Sequence, residues 1–321
     1  MNENRLIKNY LAKLANKNPA ALSLNDDVFF DKSNKTVISV DTYVEKTHFP
    51  SFDNPDLLIK KIIRSSISDL ICKGVAPKFY FISGSGNKKS FNKKNISKII
   101  SSLKSEQKKF SIKLSGGDTV YSQINSFTII SLGFSNKIVK RNNAKINDDI
   151  YITGELGDSY LGLKYLKKKN FNKNIKKKYF INKFYLPKIN YYFSKYLTKF
   201  ANTSIDISDG LLIDLNKMIN NQNVSYEIYY DKIPISNNLK IFLKENSLKK
   251  NKFIFNGDDY QILFTAKKSD KKKIYRISRK TNTKITKIGK ILSKKKFKFK
   301  LLNGDKVLKL PKIPGYEHFF T

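Results

Sequence analysis

The sequence predicts an α/β (α+β) chain folded as two domains, on three observations. Apolar runs of strand length alternate with helix-period segments along the chain. A charged joint, Arg141–Asp149, interrupts that alternation, after which it restarts. No fixed-period repeat and no Pro- or Gly-rich linker appears. The expected division is residues 1–140 and 141–321.

In chain order, the first residues read as a short amphipathic helix without the continuous apolar core of a secretory signal. Val37–Val40, Lys78–Ser83, Phe110–Ser115 and Phe127–Phe134 read as strands. Pro55-Asp56 opens a helix carrying Leu57, Leu58, Ile62, Ile63, Ile67, Leu70 and Ile71, which Gly74 and Pro77 close. A second helix is expected near 91–103, and Gly84-Ser85-Gly86-Asn87 reads as a plain turn. After the joint, DIYITG is a strand, followed by helices near 159–169 and 188–199. Then come strand TSIDIS, helix GLLIDLNKMI and strands at FIF, YQILFT and ITKIGKI.

Composition narrows the function. No apolar run reaches the roughly 18 residues of a membrane span. The single cysteine, Cys72, excludes an intramolecular disulfide and fits a reducing cytoplasm. The formal charge of +37 raises the alternative of a basic RNA-associated protein. Only five of the 63 basic residues are arginine, however, and the lysine runs at 167–169, 176–178 and 294–296 are dispersed. Arginine is the side chain suited to bidentate phosphate and base contacts, so a generic lysine bias accounts better for the charge than a nucleic-acid site.

The 26 acidic residues are informative by placement, and 19 of them are aspartates. Many fall among small residues at the ends of expected strands: Asp26-Asp27, Asp41, Asp118, Asp206 with Asp209, and Asp258-Asp259. Strand ends in α/β folds are where ligands collect, and short oxygen-bearing side chains suit hard cations such as Mg²⁺. Turn formation for Asp41 and Asp118, and helix capping for Asp209, are the structural alternatives. Asp69 is not explained that way, because it sits near the C-terminal end of its helix, where the dipole disfavours an anion. No GxxxxGK(S/T) loop and no kinase HRD/DFG set is present. If the chain uses ATP, cations held by carboxylates must neutralise the triphosphate.

Together the stretches NDDVFF, VISVDTYVEKTHF, SISDLICKGVAPKF, LSGGDTV, VKRNNAKINDDIYITGELGDSYLGL, SIDISDGLLIDL, NGDDYQILFT, ITKIGKI and PGYEHF resemble the thiamine-monophosphate kinase family. That family belongs to the aminoimidazole ribonucleotide synthetase-like superfamily of ATP enzymes. GGDT and IDISDGL are shared across the superfamily, whereas DTYVEKTHF and GYEHF are specific to the thiamine-phosphate branch.

The resemblance implies an aminoimidazole ribonucleotide synthetase-like fold whose N-terminal domains bind ATP and Mg²⁺ and pair in a homodimer. The C-terminal domain completes the ATP and thiamine-phosphate site. The γ-phosphoryl group of ATP would pass directly to thiamine monophosphate, without a phosphoenzyme. By motif match, Asp27, Ser39, Asp41, Asp69, Asp118, Asp206 and Asp209 would hold magnesium, as would the backbone carbonyl of Val40. Gly117, Asp118, Arg141 and Ser208 would contact ATP. His48, Asp258 and Ile313 would contact thiamine monophosphate. Relatives of aminoimidazole ribonucleotide or selenophosphate synthetases are the alternative within the fold, although the latter's reactive N-terminal cysteine is absent.

Overall fold

A computed structural model of the chain describes residues 1–167, 171, 176–309 and 315–320. The first sheet is built from β1 (Phe29–Asp31), β2 (Thr36–Val44), β3 (Pro77–Gly86), β4 (Lys113–Tyr121) and β5 (Ser126–Phe134). Its order is β1-β2-β5-β3-β4, antiparallel except for the β3–β4 pair. The second sheet comprises β6 (Asp149–Thr153), β7 (Ala201–Asp206), β8 (Val224–Tyr229), β9 (Ile262–Ala266), β10 (Ile285–Ser293), β11 (Phe299–Asn303) and β12 (Lys306–Val307). They run in the order β12-β11-β8-β10-β6-β9-β7. The α/β expectation holds.

Helix α1 (Pro55–Cys72) joins the two sheets. Pro55 at its first turn supplies the preset φ of a helix start, and Gly74 ends the segment at φ +81, where a side chain would be strained. The apolar stripe anticipated from sequence packs inward, with Leu58, Ile62, Ile63, Ile67, Leu70 and Ile71 almost fully buried. Lys61, Arg64, Ser65, Ser66 and Ser68 of α1 are buried too, some against the first sheet and some against the second half of the chain. Each finds a partner, as buried polar groups must. Ser65 donates to the Tyr43 hydroxyl (2.7 Å), Ser66 pairs with Ser131 (2.9 Å) and Ser68 donates to Asp206 (2.5 Å).

Arg64 on α1 forms a forked pair with Glu106 on α2 (Lys93–Phe110), at 2.8 and 2.9 Å. Both residues are buried. Glu106→Ala is expected to cost about 3–5 kcal/mol, because it strands the Arg64 charge away from water. Urea unfolding with an unchanged slope and a lower midpoint checks this. An apolar pair, Arg64→Met with Glu106→Leu, should recover most of the loss.

Several sequence expectations are corrected. Gly84–Gly86 continues β3 instead of turning, pairing with Thr119–Tyr121 of β4. Phe110 closes α2 and Ser111 adopts φ +55, so the strand anticipated at Phe110 begins only at Lys113. FIF is not a strand: Asn251–Ile254 forms one helical turn, and a short apolar run carries no periodicity that separates the two. Residues 188–199 hold only the single turns Tyr191–Ser194 and Leu197–Lys199. The regular helix of that region is α4 (Lys177–Tyr185), following α3 (Asp158–Leu166). Its buried Phe180 and Phe184 stand one turn apart amid lysines that masked the period.

Candidate active site

The carboxylates of Asp27, Asp69 and Asp206 converge, each offering an oxygen within 4.8 Å of the others. Three separate elements deliver them. Asp27 lies in the bend before β1, Asp69 in the last turn of α1, and Asp206 at the end of β7. Asp41 adjoins this group from β2. Burial, then the neighbouring Asp206 charge, pushes the Asp41 carboxyl up to about 7, against hydrogen bonds from Tyr43 and Ser66. Burial also raises Asp69, helped by the charges of Asp41 and Asp206. Burial raises Asp206, opposed by its Ser68 bond and the Arg141 charge. Carboxylates gathered this way repel one another and favour a multivalent cation.

Asp209 follows Asp206 in the turn between β7 and α5 (Leu211–Met218), where Lys217 pairs with it at 2.6 Å. It is not the helix cap. Asp214, one turn into α5, accepts the backbone N–H groups of Asp209 (3.0 Å) and Gly210 (2.9 Å). Asp214 was missed in the sequence, although its spacing from Asp209 in DGLLID was the available signal. Arg141 grips Asp27 through its guanidinium and Asp26 through its backbone N–H (2.8 Å). Ser39 is buried and donates to the Ser66 carbonyl at 3.4 Å, so its hydroxyl faces α1.

The Ile207–Gly210 turn is held against the Gly257–Tyr260 turn. The Asp258 N–H donates to the Ser208 carbonyl (2.8 Å) and the Tyr260 N–H to that of Ile207 (2.8 Å). A Cβ at Gly257 would lie 1.7 Å from the Ser208 oxygen, so only glycine permits this approach. Asp258 then receives Lys61 at 2.5 Å and the Tyr260 hydroxyl at 3.2 Å. Lys61 is buried in α1, with its ammonium 3.9 Å from the Phe184 ring centre. The sequence reading missed it, since nothing local marks a lysine whose partner is 197 positions away.

His48 completes this second cluster. Its Nδ1 accepts the Val44 N–H at 2.9 Å, and its ring centre lies 5.3 Å from that of His318. Burial lowers the His48 pKa, and His318 adds to this while Asp258 opposes it. The C-terminal segment passes overhead, with the Tyr316 N–H bonded to the Asp209 carbonyl at 2.9 Å. Ile313 lies outside the described residues.

Asp118 is not brought to either cluster. It sits in β4, the exposed edge of the first sheet, beside Gly117, whose added Cβ would meet the Ile82 carbonyl at 1.8 Å. Neither Asp41 nor Asp118 is a turn residue, because both lie inside strands. Three strand spacings separate β2 from β4, about 14 Å. The two residues also occupy opposite faces. Asp41 shares the α1-facing side of β2 with buried Ser39 and Tyr43, whereas Asp118 stands in the outer-face row Thr42, Thr128, Ser83. Val40, 60% exposed, shares that outer face.

Two sheets of this order, carrying an aspartate ring at their junction, define a protein related to aminoimidazole ribonucleotide (AIR) synthase. Residues 18–134 match the description "AIR synthase related protein, N-terminal domain", and residues 148–301 its C-terminal counterpart. The thiamine-monophosphate kinase of Buchnera aphidicola subsp. Acyrthosiphon pisum is 35% identical over 292 residues, covering 90% of this chain and 88% of that protein. The Haemophilus influenzae thiamine-monophosphate kinase is 29% identical, covering 99% and 98%. Among solved structures, "AaThiL complexed with AMPPCP and TMP" superposes with a TM-score of 0.83 at 25% identity, covering 99% and 97%. The chain belongs to the thiamine-monophosphate kinase family.

Proposed function

We propose that this chain transfers the γ-phosphoryl group of ATP to thiamine monophosphate, giving thiamine diphosphate and ADP. The observation that carries the reading is the Asp27–Asp69–Asp206 cluster, on a fold shared with AaThiL, which is solved in complex with AMPPCP and TMP. The cluster's donors are carboxylate oxygens from rigid elements, the set that suits Mg²⁺. Asp27, Asp69 and Asp206, with Asp41 and Asp209 beside them, would hold it. Bound magnesium would offset the repulsion between two phosphorylated substrates.

The chain's own groups would do the rest. Arg141 fixes Asp27 for the ATP side. Ser208 and Asp209 form the turn that links this side to Asp258. Asp258 and His48 would orient the acceptor, whose cationic ring favours the neighbouring carboxylate. No general base is required, because the attacking phosphate oxygen is already ionised near neutral pH, and positioning is most of the task.

The partner is a second copy of the chain. β4 is exposed along its whole length, and with Val40 and Phe134 it leaves apolar side chains uncovered on the outer face. Among the described residues no helix is long and apolar enough to cross a membrane, and the lone buried cysteine fits a cytoplasmic protein.

Coupled ADP release tests the function. Thiamine monophosphate should support turnover that depends on magnesium, while thiamine and aminoimidazole ribonucleotide precursors do not. ADP release with a precursor alone would overturn the reading. His48→Ala and Asp258→Ala should raise the KM for thiamine monophosphate about tenfold or more, the scale of one lost charge-assisted contact. The KM for ATP should stay near its original value. Equal effects on both substrates would count against the acceptor-side assignment.

A further inference from the structure

We propose that Lys73 is a resident cation of the phosphoryl-transfer site, its ammonium taking a position between Asp26 and Asp27 that a divalent ion would otherwise fill. The inference rests on the magnesium reading above, and concerns a residue that reading leaves unused.

Lys73 follows the last turn of α1 and is completely buried. Its three N–H donors are matched by three acceptors: Asp26 Oδ1 at 2.8 Å, Asp27 Oδ2 at 2.6 Å and the Ser204 carbonyl at 2.8 Å. An ammonium has three donors, so this one is saturated and fixed. Burying a charge is costly, and a simple tie between α1 and the 26–27 bend would need one carboxylate. Here two adjacent carboxylates converge on it, and one of them, Asp27, which also receives the Arg141 guanidinium, belongs to the triad with Asp69 and Asp206. The negative end of the α1 dipole further favours a cation at this position. Lys73 thus supplies a positive charge that cannot leave, holds Asp27 toward the triad, and lowers the number or affinity of the divalent ions the site recruits.

The test measures Mn²⁺ binding to nucleotide-free protein, which does not depend on the acceptor or on activity. With Lys73→Met, Mn²⁺ should bind at least about tenfold more tightly, with an additional ion taken up, because a repelling charge only ångströms away is removed. Lys73→Arg should keep the wild-type affinity. Equal Mn²⁺ affinity in wild type and a folded Lys73→Met overturns the proposal while leaving the magnesium reading intact. Failure of the wild type to bind Mn²⁺ at all overturns both. Should Lys73→Met not fold alone, folding restored by millimolar Mn²⁺ supports the replacement of ammonium by metal. Absence of folding with and without Mn²⁺ makes Lys73 a structural tie and overturns the proposal.

Discussion

Asp41→Asn is expected to lower turnover by on the order of 10²-fold or more, the scale of losing one preorganised electrostatic group. The same variant is expected to be more stable than the parent in magnesium-free solution at pH 8. The opposite signs have one cause. Without a cation, burial first and then the Asp206 charge, with a smaller contribution from Asp209, raise the Asp41 carboxyl to about 7. The folded state therefore binds a proton that the unfolded chain, titrating near the ordinary carboxylate value, has already released. Stability falls as pH rises from about 4 through about 7, since the folded form binds more protons across that window. Asparagine removes the penalty and still accepts hydrogen bonds from Tyr43 and Ser66, while forfeiting the anionic oxygen a magnesium ion requires. Thermal melts from pH 4 to 8, paired with steady-state kinetics over a magnesium titration, check both halves. A variant with full turnover, or one whose melting temperature drops at pH 8, would remove Asp41 from the metal site.

How much of this was legible in the sequence follows from how local each signal is. The α1 stripe and its stop at Gly74 are written within eighteen consecutive residues, and they were readable. Asp69 was informative for a similarly local reason, its unfavourable place at a helix end, and it is one of the triad. Asp41 and Asp118 looked like turn residues because glycine or threonine flanks them, yet both sit inside strands. Small residues are equally at home where another backbone approaches closely, as Gly117 does to Ile82. Lys61 and Lys73 were hidden among 63 basic residues, and only the packing of α1 against the second sheet distinguishes them from solvated lysines. In the sequence Asp209 reads equally well as a helix cap, but the capping is done by Asp214 reaching back from inside the helix. That leaves Asp209 available, paired with Lys217.

Asp118 carries the last prediction, which concerns two chains. Within one subunit it lies about 14 Å from Asp41 and on the opposite face of the sheet, too far for a shared ion. If Asp118 serves the site at all, it must serve that of a neighbouring copy, and the exposed β4 edge is where such a copy would meet this one. Asp41→Asn and Asp118→Asn are then each expected to lose on the order of 10²-fold in turnover as homodimers. A heterodimer of the two variants, purified through different tags on each chain, should behave otherwise. One of its sites combines intact Asp41 from one chain with intact Asp118 from the other, and its second site carries both lesions. In a two-fold dimer that arrangement restores about half of the wild-type activity per dimer. If each site were completed within its own chain, both sites of the heterodimer would carry one lesion and activity would stay at the level of the parents. Heterodimer activity no higher than either parent, or failure to recover any doubly tagged species, would therefore refute the shared site. Recovery to about half would establish that Asp118 acts across the interface and that the exposed face of the first sheet is where the two copies meet.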